Sequence, residues 1–153
     1  APAIWEETNK KLATKEMSIR SLLKKNKVEF LGTTDDPTDD LATHIELHKE
    51  GFEINVSPSF RPDKGLNIER EDFLSWIEKL EQATSSSIES YDSFMTSLAS
   101  RVDYFDKHGC RSADHGIEVM FFDQGTEQEI SALFQKRLNG EILPRKEIEK
   151  YKT

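Results

Sequence analysis

One cysteine, Cys110, stands in a chain of 153 residues. It excludes an intramolecular disulfide and any zinc site built on paired cysteines. A lone thiol fits a reducing compartment, so we expect a cytoplasmic protein. Long apolar runs are also missing. None approaches the ~18 residues that a membrane-spanning helix needs. The opening APAIWEETNKK has no basic stretch followed by an apolar one, so no secretion signal is read there. The start at Ala1 rather than Met leads us to expect a trimmed piece of a longer chain. Positive charge is in deficit: 21 Lys and Arg stand against 29 Asp and Glu, a formal net charge of −8. Without gathered Lys and Arg, phosphate backbones and anionic membranes are poor partners, so neither nucleic acid nor membrane is expected. Apolar residues are few as well. The hydrophobic set is 35% and charged residues are 33%. A single domain with a core small for its surface follows. No repeat shows at a period of about 20–50 residues. No glycine-rich phosphate loop, G-x-S-x-G or C-x-x-C is present.

What is present is an alternation of periods. Residues 1–26 carry helix-spaced Ile4, Trp5, Leu12, Met17, Ile19, Leu22 and Leu23, with a break near Thr14. Residues 28–34 are β-prone and nearly uncharged, and read as a buried strand. Asp36 suits an N-cap and Pro37 a first helical residue, with the helix running through Leu41, Ile45 and Leu47 to Gly51. Residues 52–58 read as a second strand, which makes a βαβ unit with parallel strands. Residues 60–68 read as a loop. Helices are expected over 71–83 and 86–108, the second stopped by Gly109 with His108 as its cap. Residues 110–120 read as a third strand with a polar centre. Helices over 126–138 and 145–152 close the chain, with Pro144 as first residue of the last. The order is αα-β-α-β-αα-β-αα, an α/β architecture with about three parallel strands and about seven helices.

In such folds ligands bind at the carboxyl ends of the strands. Three polar clusters fall there: Thr33–Asp36, Ser57–Asp63 and Ser112–His115. Arg61, held by Pro62, suits bidentate capture of a carboxylate or phosphate, unless Asp63 or another nearby acid claims it. Asp114 beside His115 is a plausible general base or a structural acceptor. Neighbouring strand residues face opposite ways, so only one can point inward unless the strand has ended. Asp35, Asp36, Asp39 and Asp40 resemble a cation site but equally suit helix capping, with Asp35 nearest the strand end. His44 and His48 share a helix face without an evident third ligand, and read as an ordinary surface pair.

Taken in order, these segments resemble a known family. Gly32-Thr33-Thr34-Asp35-Asp36-Pro37, then Pro58-Ser59-Phe60-Arg61-Pro62-Asp63-Lys64, then His108-Gly109-Cys110 with Asp114-His115 three residues on, resemble uronate isomerase, also called glucuronate isomerase. The resemblance runs over nearly the whole chain and covers about a third of a family member. It implies a helix-rich part of an amidohydrolase-type (β/α)8 barrel. The implied activity is metal-assisted proton transfer that interconverts D-glucuronate with D-fructuronate and D-galacturonate with D-tagaturonate. The implied partner is the uronate sugar, and the implied cofactor a divalent metal, usually zinc. Carried over by position, Arg61 would hold the substrate carboxylate and Asp114 would lie in the catalytic pocket. Thr34, Asp35 and His115 would sit at its rim. The family's metal ligands, a His-x-His pair and an Asp, have no counterpart here, so no metal ligand is expected in this chain and no turnover from it alone. On that basis the chain divides into a helical lead-in (1–27), a βαβ barrel segment (28–69), a helical hairpin (70–109), and a strand with closing helices (110–153). Open sheet edges then predict self-association. Two other outcomes compete: an acidic α/β binding module without catalysis, and a metal hydrolase using Asp35, Asp36 and Asp114.

Overall fold

The change of period near residue 28 separates two kinds of packing. In the computed structural model, which describes residues 2–117 and 119–153, α1 (Pro2–Leu12) has no buried residue. One 3-10 turn (Lys15–Met17) follows at the expected break, then α2 (Ile19–Lys25), capped by the Ser18 side chain. Four short strands come next: β1 (Phe30–Gly32), β2 (Asn55–Ser57), β3 (Ser59–Phe60) and β4 (Ser112–Ala113). All pair in parallel, β1 with β2 and β3 with β4. A further bridge joins Asp35 to Phe60. Residues 55–60 therefore form one central lane that serves β1 on one side and β4 on the other. Pro58, which has no N–H to donate, divides it. Three lanes match the expected number, although the expected loop at residue 60 is strand.

Helix α3 (Ala42–Lys49) crosses between β1 and β2. It does not begin at Pro37. Asp36 Oδ1 accepts from the Thr38 amide at 3.0 Å, Asp39 from Leu41 at 2.7 Å and Asp40 from Ala42 at 2.9 Å, and Leu41 caps the helix in a left-handed conformation (φ 54°). The reason is tertiary. The Trp76 indole donates to Asp36 at 2.8 Å, and Arg101 donates to the carbonyls of Pro37 and Asp39, both at 2.7 Å. Those partners outweigh a local capping signal. Gly51 ends α3 at positive φ, as its place in the sequence demands.

Helix α4 (Asp63–Leu66) is a single turn inside the expected loop. Helix α5 (Phe73–Thr84) buries Phe73, Trp76, Ile77 and Leu80, an i, i+3, i+4, i+7 stripe. Helix α6 (Tyr91–Lys107) starts at the reciprocal Ser90/Ser93 cap, five residues later than expected, and ends with His108 as cap before Gly109. Helix α7 (Glu127–Leu138) opens on the same device with Thr126 and Glu129. Lys150, then the Thr126 amide and hydroxyl, bring the Glu129 carboxyl down to about 2. Helix α8 (Arg145–Tyr151) begins after an extended Pro144, which caps it and does not enter it.

The expected strand over 110–120 shrinks to β4. The Cys110 amide still bonds to the Phe105 carbonyl (3.0 Å), and the Asp114 amide makes the final ladder bond, to Phe60 (3.2 Å). Ile117, Val119 and Met120 remain exposed, so their apolar alternation has no sheet to enter.

Two apolar clusters result. The larger joins α5, α6, α7 and α8 around Phe134, which stacks on Phe94 at 4.9 Å and meets the edge of Phe73 at 6.1 Å. The smaller lies against the sheet: Leu41, Phe60, Phe105 and Cys110, with Phe60 and Phe105 edge to face at 5.2 Å. Phe134→Ala should destabilise the chain by about 3–5 kcal/mol in equilibrium urea unfolding, because it opens a cavity among four helices. A cost under ~1 kcal/mol would show that the larger cluster is not the stabilising core.

Candidate functional site

Parallel pairing sends the three lanes out at one edge, so the residues that follow β1, β3 and β4 meet. The Arg61 amide donates to the Asp35 carbonyl at 3.0 Å, which fixes its backbone beside the β1 lane. Its guanidinium turns to the other side. Nε donates to Asp114 Oδ1 at 3.1 Å, and Nη2 donates to Asp114 Oδ2, a two-point fork. Asp63 Oδ2 lies 3.8 Å from Arg61 Nε. Asp63 also accepts from the Gly116 amide (2.9 Å) and lies 3.2 Å from His115 Nδ1. Because β4 stops at Ala113, the alternation of faces lapses. Asp114 and His115 therefore both reach the loop after β3.

The Arg61 hydrogen bond is the main reason the Asp114 carboxyl titrates below its usual range, and the same contact raises Arg61. Both side chains are well exposed, 36% and 44%, so the pair is open to solvent and to exchange with another carboxylate. A cleft of about 660 Å³ reaches Asp63 and His115 but is lined by neither Arg61 nor Asp114; Glu69, Arg70, Met120 and Lys152 are among its other walls. That volume lies in the range of small-molecule sites, ~300–1,000 Å³.

On the β1 side, Asp35 is buried. Its Oδ2 accepts from the Thr33 hydroxyl at 2.6 Å and the Ser59 amide at 3.1 Å. His44 Nε2 lies 2.8 Å from Thr33 Oγ1 and 3.9 Å from Asp35 Oδ1. Thr34 lies between them in sequence and is exposed.

The sequence thus named Arg61, Asp114, His115 and Asp35, and the structure gathers them along one edge. It also corrects the reading of His44. His48 is a surface residue, but the His44 side chain is only 11% exposed and faces the sheet. Its place three residues after the buried Leu41 was the available signal. The four acids at 35–40 do not converge on a cation. Asp36 is engaged by Trp76, Thr38 and Lys64, and Asp39 and Asp40 bond to backbone. Asp114 is separately engaged by Arg61, which leaves no shared donor set for a hydrolase built on Asp35, Asp36 and Asp114.

A divalent metal needs several converging donors. Among the described residues no three His, Cys, Asp or Glu side chains gather that way. Asp63 and Asp114 already face Arg61. The described residues do not fit a metal ion.

The model of one protein family, described as glucuronate isomerase, matches residues 1–153. The chain is 47% identical to the uronate isomerase of Caldicellulosiruptor bescii and 45% identical to that of Caldanaerobacter subterraneus subsp. tengcongensis, over 100% of its own length and 33% of theirs. The crystal structure of uronate isomerase from Thermotoga maritima superimposes with a TM-score of 0.87 at 34% identity, over 99% of this chain and 33% of that one. The chain spans about a third of the length of the curated relatives it matches. The three lanes and their helices are a helix-rich segment of the (β/α)8 barrel of those neighbours.

Acid tests this electrostatic arrangement. Asp114 is held low by Arg61. Burial alone would push Asp36 up, but bonds from Trp76, Thr38 and Lys64 together bring it below its ordinary value. The native state therefore binds these protons less readily than the unfolded chain. The stability they contribute is present above the usual carboxylate range and is lost as pH falls through it. Urea midpoints should be level near neutrality and drop below about pH 4–5. Asp36→Asn should flatten that drop in any salt, whereas Asp114→Asn should flatten it mainly at low ionic strength, because the exposed pair is screened. An unchanged drop in both variants would refute the assignment.

Proposed function

The chain belongs to the glucuronate isomerase family, and on that premise we propose that it forms part of a uronate isomerase. The reaction is aldose–ketose isomerisation of D-glucuronate to D-fructuronate and of D-galacturonate to D-tagaturonate. The observation that supports it best is the Arg61 fork. A guanidinium that already grips a carboxylate at two points, and is itself open to solvent, is chemically a receptor for the carboxylate of a uronic acid. Arg61 binds the substrate carboxylate. Asp114, released from the fork, is the polar group that orients the sugar or moves its proton. Thr34 stands at the rim, the buried Asp35 lies behind it, and His115 is a neighbour of the site.

A divalent metal, zinc first, would supply Lewis-acid polarisation of the carbonyl in the whole enzyme, and the residues described here do not fit it. The 153 residues alone are inactive. Residues 28–69 supply the βαβ barrel segment, 1–27 the helical lead-in, 70–109 the helical hairpin, and 110–153 the last strand and closing helices. A cytoplasmic location accords with the lone Cys110. The open edges of β1 and β4 support self-association of the isolated chain.

A chimera tests the reading. This chain replaces the matching third of the Caldicellulosiruptor bescii uronate isomerase, and ketouronate formation from glucuronate is followed with zinc or manganese added. The chimera should turn over. Arg61→Ala should lower kcat/KM by about 100-fold, the scale of one lost charge-assisted contact, and Arg61→Lys should recover only part. A folded, inactive chimera, or one indifferent to Arg61→Ala, would sink the proposal and favour a binding module.

A further inference from the structure

The buried cluster behind the Arg61 fork has a hydrogen count that can be closed. Thr33 Oγ1 carries one proton and has three polar neighbours, Asp35 Oδ2 at 2.6 Å, His44 Nε2 at 2.8 Å and, more distant, the Ser57 carbonyl at 3.4 Å. An ionised carboxylate only accepts, so the hydroxyl donates along the shortest contact, to Asp35. The hydroxyl lone pair then accepts from His44, and Nε2 must bear hydrogen. The other ring nitrogen, Nδ1, is buried with no hydrogen-bond partner among the described residues.

What the cluster holds in place is a repair to the sheet. Pro58 interrupts the central lane. The next amide, that of Ser59, donates to Asp35 Oδ2 at 3.1 Å and not to a backbone carbonyl. The adjoining backbone bonds, Thr33 to Ser57, Asp35 to Ser59 and Arg61 to Asp35, are each 3.0 Å. The carboxylate stands in for a ladder acceptor two residues before Arg61.

We propose that His44 is a positioning residue, bearing hydrogen on Nε2, that acts through the Thr33 hydroxyl to aim the Asp35 carboxylate at the Ser59 amide. This does not depend on which sugar, if any, the fork binds. His44 touches no reacting atom. It sets the geometry of residues 59–61 from behind.

The test uses the intact 153-residue chain labelled with 15N. Long-range proton–nitrogen correlations distinguish the two neutral tautomers from the charged ring. The expected spectrum shows hydrogen on His44 Nε2. A ring with hydrogen on Nδ1 alone overturns the proposal, and this measurement needs no variant to fold. Substitution supplies the second arm. Glutamine places its amide N–H near the Nε2 position, whereas asparagine places it near Nδ1. His44→Gln should keep the Ser59 amide shift and its slow hydrogen exchange. His44→Asn, His44→Ala and Thr33→Val should move the shift and speed exchange about tenfold. Folded Asn and Gln variants that behave alike would overturn the positioning role and leave His44 as packing.

Discussion

Residues 55–60 must pair on both sides at once, and the candidate site depends on that. β1 is in register with Asn55–Ser57, and β4 with Ser59–Phe60. Neither outer lane touches the other. Thr33 to Asp35 and Asp114 to His115 are brought to one edge only because each is bonded to the same short stretch. The lane contains a proline, a residue normally kept to sheet edges and bulges. Just past it, the Ser59 amide takes a side-chain carboxylate, that of Asp35, as its acceptor. Arg61, two residues further on, inherits its placement from that arrangement.

Stability and chemistry are lodged in different parts of the chain. The aromatic cluster around Phe134 lies among the helices, and the site rests on the smaller group of Leu41, Phe60, Phe105 and Cys110. Helix α6 serves both, with Phe94 in one cluster and Phe105 in the other. Between them, Arg101 reaches across to the turn at 37–39, its guanidinium also lying 4.0 Å from the Tyr104 ring centre. The turn that follows β1 is thereby tied to the helical half.

Local order was legible wherever the deciding interactions were local. The helical stripes, the stops at Gly51 and Gly109, and the strand–helix–strand order at 28–58 follow from spacing and backbone conformation. What was missed depends on distant partners. Asp36 reads as a cap until Trp76, forty residues on, takes its oxygen. Residues 110–120 read as a strand with a polar centre, yet the sheet ends at Ala113. Arg61 and Asp114 were each singled out, but a pairing across 53 residues leaves no mark on either segment. His44 reads with His48 as a surface pair because no third ligand is evident, and its contact with Thr33 lies eleven residues away. Membership of a barrel came from motif order, since three short lanes have no pattern of their own that implies closure.

The two arginines that frame the β1 turn bind different kinds of oxygen. Arg61 grips a carboxylate, which takes up a proton in acid. Arg101 grips the peptide carbonyls of Pro37, Asp39 and Ala83, which do not titrate. The Arg101 contacts are therefore blind to acidity, while the Asp36–Trp76 link and the mouth of the site are not. As the medium is acidified, the fork and the Asp36 link loosen, and the Arg101 clasp persists.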